Sequence, residues 1–159
     1  MNRGSTYFLR SVILLLGTSV LLLCIFGLPW IAKEASGNAE FASLIYPVLI
    51  GMYVAAIPFF IALFQALRLL RLIDKDDAFS VFSVNALRVI KFCAVAISVV
   101  YVMVMPFFYF IGEKDDAPGV ILIGLVFIFA SLVIAVFTAV LQKLLKSAIE
   151  IKSENDLTV

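Results

Sequence analysis

The chain contains no histidine and only two cysteines in 159 residues. Without imidazole there is no Ser-His-Asp or Cys-His pair, no His-ligated haem and none of the common zinc sites. Charge is scarce as well. Lys, Arg, Asp and Glu make up 14% of the residues, against about 25% in soluble domains, and the formal net charge is +1. That balance gives no electrostatic basis for holding nucleic acid directly. What fills the chain is apolar: 64% of residues are hydrophobic and the mean hydropathy is +1.16. A soluble domain of this length keeps too much of its surface near water to hide so much apolar matter. A soluble enzyme is therefore excluded, and the composition is that of an integral membrane protein.

A hydrocarbon core about 30 Å thick needs roughly 20 apolar residues of helix. Four stretches without Asp, Glu, Lys or Arg meet that need: residues 11–31, 44–67, 92–111 and 119–141. The expectation is an all-α integral membrane fold, a four-transmembrane-helix bundle forming a single domain over residues 1–159, with a loop at 68–91 and a tail at 142–159. The first stretch follows Arg3 and Arg10, as a signal peptide would. It is too long for a typical signal core, and Ala35-Ser36-Gly37 is a weak cleavage site, so it is read as a retained span.

Orientation follows from the basic residues. Arg3 and Arg10 precede the first span. Arg68, Arg71, Lys75, Arg88 and Lys91 lie between the second and third, and Lys143, Lys146 and Lys152 follow the fourth. Only Lys33 and Lys114 fall on the other side. This asymmetry predicts that both termini and the middle loop are cytoplasmic. Arg68, Arg71, Arg88 and Lys91 then sit at the inner membrane interface with Tyr7, Phe8, Phe79 and Phe82. Trp30, Phe41, Tyr46 and the aromatic run at 107–110 mark the outer one.

Within lipid, helices associate through small residues. Ser131, Ala135 and Ala139 recur at four-residue spacing in the fourth span. Gly51 and Ala55 do so in the second, and Ala94 and Ser98 in the third. These are the candidate packing faces. Pro58 and Pro106 are expected to kink their helices. An offset of 77 aligns Pro29 with Pro106 and Gln65 with Gln142, a faint hint of duplication. Cys24 and Cys93 lie at depths differing by roughly 15 Å or more at the helical rise, beyond the reach of a disulfide. They read as small packing residues. Gln65 and Gln142 read as groups at the membrane boundary, with a mutual hydrogen bond or a polar vestibule as alternatives.

Chemistry has little to work with. No ionisable group lies inside a span, which disfavours coupled transport, and no nucleophile–base arrangement is visible, so the chain is read as a non-enzyme without cofactor or metal. Asp74, Asp76 and Asp77 cluster in the middle loop but lack the spacing, central Gly and late Glu of a calcium loop. They read as a hydrated turn, with Asp77 or Ser80 capping a short amphipathic helix that runs into the third span. In the outer turn, Asp116 is expected to cap the fourth helix and Pro118 to occupy its first turn. The last four residues, Asp156-Leu157-Thr158-Val159, look weakly like a ligand that adds a strand to a sheet edge.

Several segments carry a family likeness. Ile73-Asp74-Lys75, Ala78-Phe79-Ser80 and Ser83-Val84-Asn85-Ala86-Leu87-Arg88 resemble the central signature of the YoaS-like group of bacterial membrane proteins, whose function is unknown. So do Asp115-Asp116-Ala117-Pro118-Gly119, the run 128–145 and the terminal Glu154-Asn155-Asp156-Leu157-Thr158-Val159. The resemblance implies a four-helix plasma-membrane protein. It also implies a gene that often neighbours one for a small Cro/C1-type helix-turn-helix regulator, and it supplies no catalytic or ligand residues. Val81-Phe82-Ser83 departs from the acidic residues usual after the Ala-Phe-Ser signature, weakening a capping box there.

The leading expectation is thus a non-enzymatic regulatory membrane protein coupled to such a regulator, with the bilayer as its other partner and no direct nucleic-acid contact. The docking residues would be Asp74, Asp76 and Asp77 or the tail beyond Lys146. An immunity or envelope-stress protein that meets membrane-active peptides through its acidic outer loops is the alternative, and a small transporter is a weaker one. A homo-oligomer is compatible with all of these.

Overall fold

In hydrocarbon no water is available to backbone N–H and C=O groups, so an apolar chain crosses as helices that pair those groups internally. The computed structural model describes residues 3–114, 116 and 118–157. Asp115 and Ala117 of the outer turn, and Thr158 and Val159 of the terminal motif, lie outside the described residues. The elements are α1 (Arg3–Leu22), a π-helical turn (Leu23–Gly27), α2 (Leu28–Ala35), α3 (Ala39–Asp74), α4 (Val81–Lys114) and α5 (Gly119–Leu157). The first three run on continuously. Among the described residues four helices are thus long and apolar enough to cross a membrane, and the all-α transmembrane class stands.

The helices overrun the charge-free stretches. At 39 residues, α5 is about 58 Å long, nearly twice the hydrocarbon thickness. Likewise α3 continues past residue 67 to Asp74, and α4 begins at Val81. The amphipathic segment expected before the third span is therefore the opening of α4 itself.

Packing follows chain order: α1 and α2 lie on α3, α3 on α4, and α4 on α5. With neighbours on two sides, α4 has 33% of its most apolar stretch buried, against 6% in the first span. Leu28 and Ala35 of α2 join Val48, Leu49, Tyr101, Val104 and Phe108 in one core cluster. Small residues set the close approaches. A methyl added at Gly51 would overlap Cγ2 of Val104, whose β-branched side chain has little freedom to move aside. Ala55, Ala94 and Ser98 are buried as well. One added at Gly124 would lie 3.0 Å from Met105 Sδ.

On α5 the buried positions are Gly124, Ser131, Ala135, Thr138 and Gln142, with Ile128 partly buried between them. Steps of four and three alternate along this stripe, the period of 3.5 that keeps a seam facing its neighbour. A repeat of fours alone drifts off that seam, which is why Ala139 sits half-buried at its edge while Thr138 takes the buried place. The hydroxyls on the stripe return to their own helix, Ser131 donating to the Phe127 carbonyl at 2.8 Å and Thr138 to that of Ile134 at 2.6 Å.

Pro58 and Pro106 lie inside α3 and α4, which continue through them as single helices. A change of helical type falls just before Pro29. There the Leu28 N–H bonds to the Leu23 carbonyl, five residues back, and Pro29 has no N–H to give. The Cys24 carbonyl is left without the donor either residue would have supplied. The hydroxyl of Tyr53 on α3 donates to it at 2.6 Å. Cys24 and Cys93 are both free thiols.

Replacing Tyr53 with Phe should destabilise the protein by about 1–3 kcal/mol, the range for orphaning an acceptor shut off from water, here by lipid or detergent, seen as a lower thermal midpoint in detergent. In a Pro29→Ala background, which restores a backbone N–H, the same change should cost less. Equal losses in both backgrounds would mean that the hydroxyl does not satisfy the carbonyl.

Candidate functional site

The polar chemistry gathers at one end, where α3, α4 and α5 pass beyond their apolar stretches. The end of α3 is closed by its own backbone. The Asp77 N–H bonds to the Leu72 carbonyl at 2.9 Å and the Asp76 N–H to that of Ile73 at 3.2 Å. These are the paired bonds of a Schellman cap, and they place Asp76 at the position that favours the left-handed region. Its φ is 56°. Glycine takes that conformation most readily, and aspartate is among the few others that tolerate it.

Asp74 faces Arg10 of α1, carboxylate to guanidinium at 3.5 Å. Both groups are about a third exposed, so the pair contributes little stability, but it ties the first helix to the end of α3. Ser80 holds the N-cap position of α4. Its carbonyl accepts the Val84 N–H at 3.3 Å, while its hydroxyl donates back to the Asp77 carbonyl at 2.8 Å. Among the described residues no three His, Cys, Asp or Glu side chains gather closely enough to hold a metal ion. The three aspartates thus divide: Asp74 is an ion-pair partner, Asp76 a backbone device, and Asp77 an exposed carboxylate whose N–H completes the cap.

The basic residues around this turn lie over aromatic rings. The guanidinium of Arg68 is 5.9 Å from the centroid of Phe82. Arg88 and Lys91 lie 5.8 and 5.1 Å from that of Phe92. Arg71 is exposed. A ring at the interface with a cation above it suits the headgroup level.

Between the start of α4 and the tail of α5 runs a groove of about 430 Å³. Asn85 and Arg88 face Gln142, Lys146 and Glu150 across it, with Val84 and Ile149 in its walls. Gln142 is buried, and its carboxamide oxygen accepts a hydrogen bond from the Lys91 ammonium at 3.1 Å. Gln142 and Gln65 therefore do not pair. The Gln65 oxygen is buried with no hydrogen-bond partner among the described residues, as is the Ser83 hydroxyl. Spacing along one helix carries no sign of the groove or of the Lys91–Gln142 bond, because each joins residues some fifty positions apart.

At the opposite end Lys114 pairs with Glu40. The bond from its ammonium, together with its charge, holds the Glu40 carboxyl below the usual carboxylate range. Asp116 adopts a φ of 52°, and its N–H bonds to the Glu113 carbonyl at 3.4 Å. Pro118 takes the N-cap position itself, its carbonyl accepting the Leu122 N–H. The helix thus begins two residues later than a cap at Asp116 would start it, because Asp116 is occupied in the turn. Trp30 on α2 is 63% exposed, as a side chain facing lipid headgroups would be.

The family model described as "Protein of unknown function (DUF2975)" matches residues 30–159. The chain is 59% identical over 160 residues to the "Uncharacterized membrane protein YoaS" of Bacillus subtilis (strain 168), with 100% of each chain covered. No solved structure matches the chain at a significant level.

Asp76 can be assigned by the sign of two substitutions that remove the same charge. Asp76→Gly should raise thermal stability in detergent and Asp76→Ala should lower it, each by on the order of 1 kcal/mol, because only glycine adopts the left-handed conformation without cost. Shifts of the same sign would show that charge, not backbone, governs this position.

Proposed function

The chain belongs to the DUF2975 family, and from that premise we propose that it is a non-enzymatic regulatory protein of the bacterial plasma membrane. In this reading both termini are cytoplasmic, and the end carrying the α3–α4 turn and the α5 tail receives a small helix-turn-helix regulator. The observation that carries the reading is the one-sided overrun of the helices. Residues 142–157 of α5 continue the helix beyond the last apolar stretch, a projection of about 24 Å. The exposed Asp76 and Asp77 stand at the neighbouring turn. Ten of the 12 basic residues flank this same end, which supports a cytoplasmic placement.

The partner's chemistry follows from charge. A helix-turn-helix protein presents a basic surface to DNA. The tip of the turn offers carboxylates at Asp76 and Asp77, and the end of the tail adds Glu154 and Asp156. Complementarity of this kind steers encounter. A regulator held by its DNA-binding face would be withheld from its operator, which is how a protein with no catalytic group would regulate transcription.

Orientation is tested with single cysteines on a Cys24- and Cys93-free background. Cysteine at Asn38 should react with an impermeant reagent on intact cells, and cysteine at Asp77 only after permeabilisation; the reverse pattern would invert the topology. Capture is tested with the regulator encoded beside the gene. Asp74→Asn/Asp76→Asn/Asp77→Asn should weaken its co-purification with the solubilised protein, more so at low salt, since exposed charges are then least screened. Asparagine also tolerates the left-handed conformation at position 76, so the cap survives. Equal co-purification of wild type and variant at low ionic strength would remove the turn from the proposal.

A further inference from the structure

The groove between α4 and α5 lies where both helices leave their charge-free stretches. Arg88 and Lys91 directly precede residues 92–111, and Gln142 and Lys146 directly follow residues 119–141. A cavity at that level is open to the headgroup region of whichever leaflet it meets. We propose that it is a binding site for the headgroup of an anionic glycerophospholipid, a phosphodiester whose outer part carries hydroxyl groups, as in phosphatidylglycerol.

The assignment rests on how donors and acceptors are ordered along the groove. Nearest the membrane, Lys91 holds the Gln142 oxygen at 3.1 Å. The carboxamide therefore has only its NH2 hydrogens left to offer, and it is 8% exposed. Arg88 and Lys146 face each other from the two helices, both exposed. The Arg88 guanidinium lies near one face of Phe92, and stacking of that kind leaves the donor edge able to grip a phosphate. A phosphodiester here meets two cations and an amide donor. Glu150 lies one helical turn beyond Lys146, farther from the span, and Asn85 is on the facing helix. A carboxylate in that place repels a second phosphate charge and accepts hydrogen bonds from hydroxyls. That favours a headgroup with outer donors over a bare phosphomonoester. The lining charges, two basic and one acidic, sum to a net positive site, which gains more from an anionic lipid than from a zwitterionic one. Basic pockets between helices at the membrane boundary commonly take lipid headgroups, and about 430 Å³ lies within the size range of small-molecule sites.

The experiment uses the full chain in detergent, read by native mass spectrometry after addition of equal amounts of phosphatidylglycerol, phosphatidic acid, phosphatidylethanolamine and phosphatidylcholine. Wild type should retain phosphatidylglycerol preferentially. Arg88→Gln/Lys146→Gln should lose that retention by at least roughly tenfold. Lys143→Gln/Lys152→Gln, which removes the same charge outside the groove, should keep it, and so should the charge-conserving Lys146→Arg. Glu150→Gln should narrow the margin over phosphatidic acid. The inference is overturned if wild type retains phosphatidylglycerol no better than phosphatidylcholine, or if both double variants lose it equally, which would mark a diffuse surface effect. It is also overturned if soluble glycerol phosphate displaces the lipid at equal concentration, which would mark a site for the free phosphate compound. Circular dichroism and thermal midpoints equal to wild type establish that each variant is folded.

Discussion

A carbonyl with no donor is the constraint around which the first half of this protein is arranged. In hydrocarbon an unpaired backbone group costs several kcal/mol, and Pro29 removes the N–H that the π-helical turn would otherwise have offered to Cys24. Tyr53 supplies a hydroxyl from the neighbouring helix. The bond matters beyond its own energy because the first span is otherwise weakly held, with few of its residues buried. It fixes the depth of that span against α3. This brings Leu28 and Ala35 into the common core and lets Arg10 meet Asp74 at the far end.

The remaining helices are held by shape. Lipid tails are as apolar as leucine, so burial of apolar area contributes little to association, and close packing at small residues takes its place. Gly51 against Val104 and Gly124 against Met105 bring α3 and α5 onto two different faces of α4. That leaves the large side chains of α1 and α5, such as Leu15, Phe129 and Phe137, on the outside. In water such exposure would be an aggregation hazard; in a bilayer it is the solvated surface.

The polar end combines two environments within a short distance. Arginine and lysine lie near aromatic rings where the helices leave the apolar stretches, and carboxylates occupy the turn beyond them. Long helices make this possible. Because α3, α4 and α5 do not stop at the boundary, they carry the groove at headgroup level and the turn and tail into water. One set of helices thereby presents a basic groove where the apolar stretches end and an acidic turn beyond it.

Much of this was legible in the sequence. The number of spans, the all-α class and the charge asymmetry follow from composition and from charges bounding apolar runs, since hydrocarbon penalises an ionised group wherever it is placed. Buried small residues at Gly51, Ala55, Ser131 and Ala135 could be proposed from spacing, because the helix period relates neighbours three and four apart. The π-helical turn, the left-handed Asp76, the shift of the buried stripe from Ala139 to Thr138, and the groove facing Arg88 with Lys146 could not. Each depends on which helix lies beside which and in what register. Tyr53 meets Cys24 across 29 positions and Lys91 meets Gln142 across 51. A local periodicity contains no record of such pairings. The sequence alone determined that this chain enters a membrane as four helices. The tertiary structure decided which polar groups meet, because hydrogen bonds and ion pairs act over a few ångströms in space, whatever the distance along the chain.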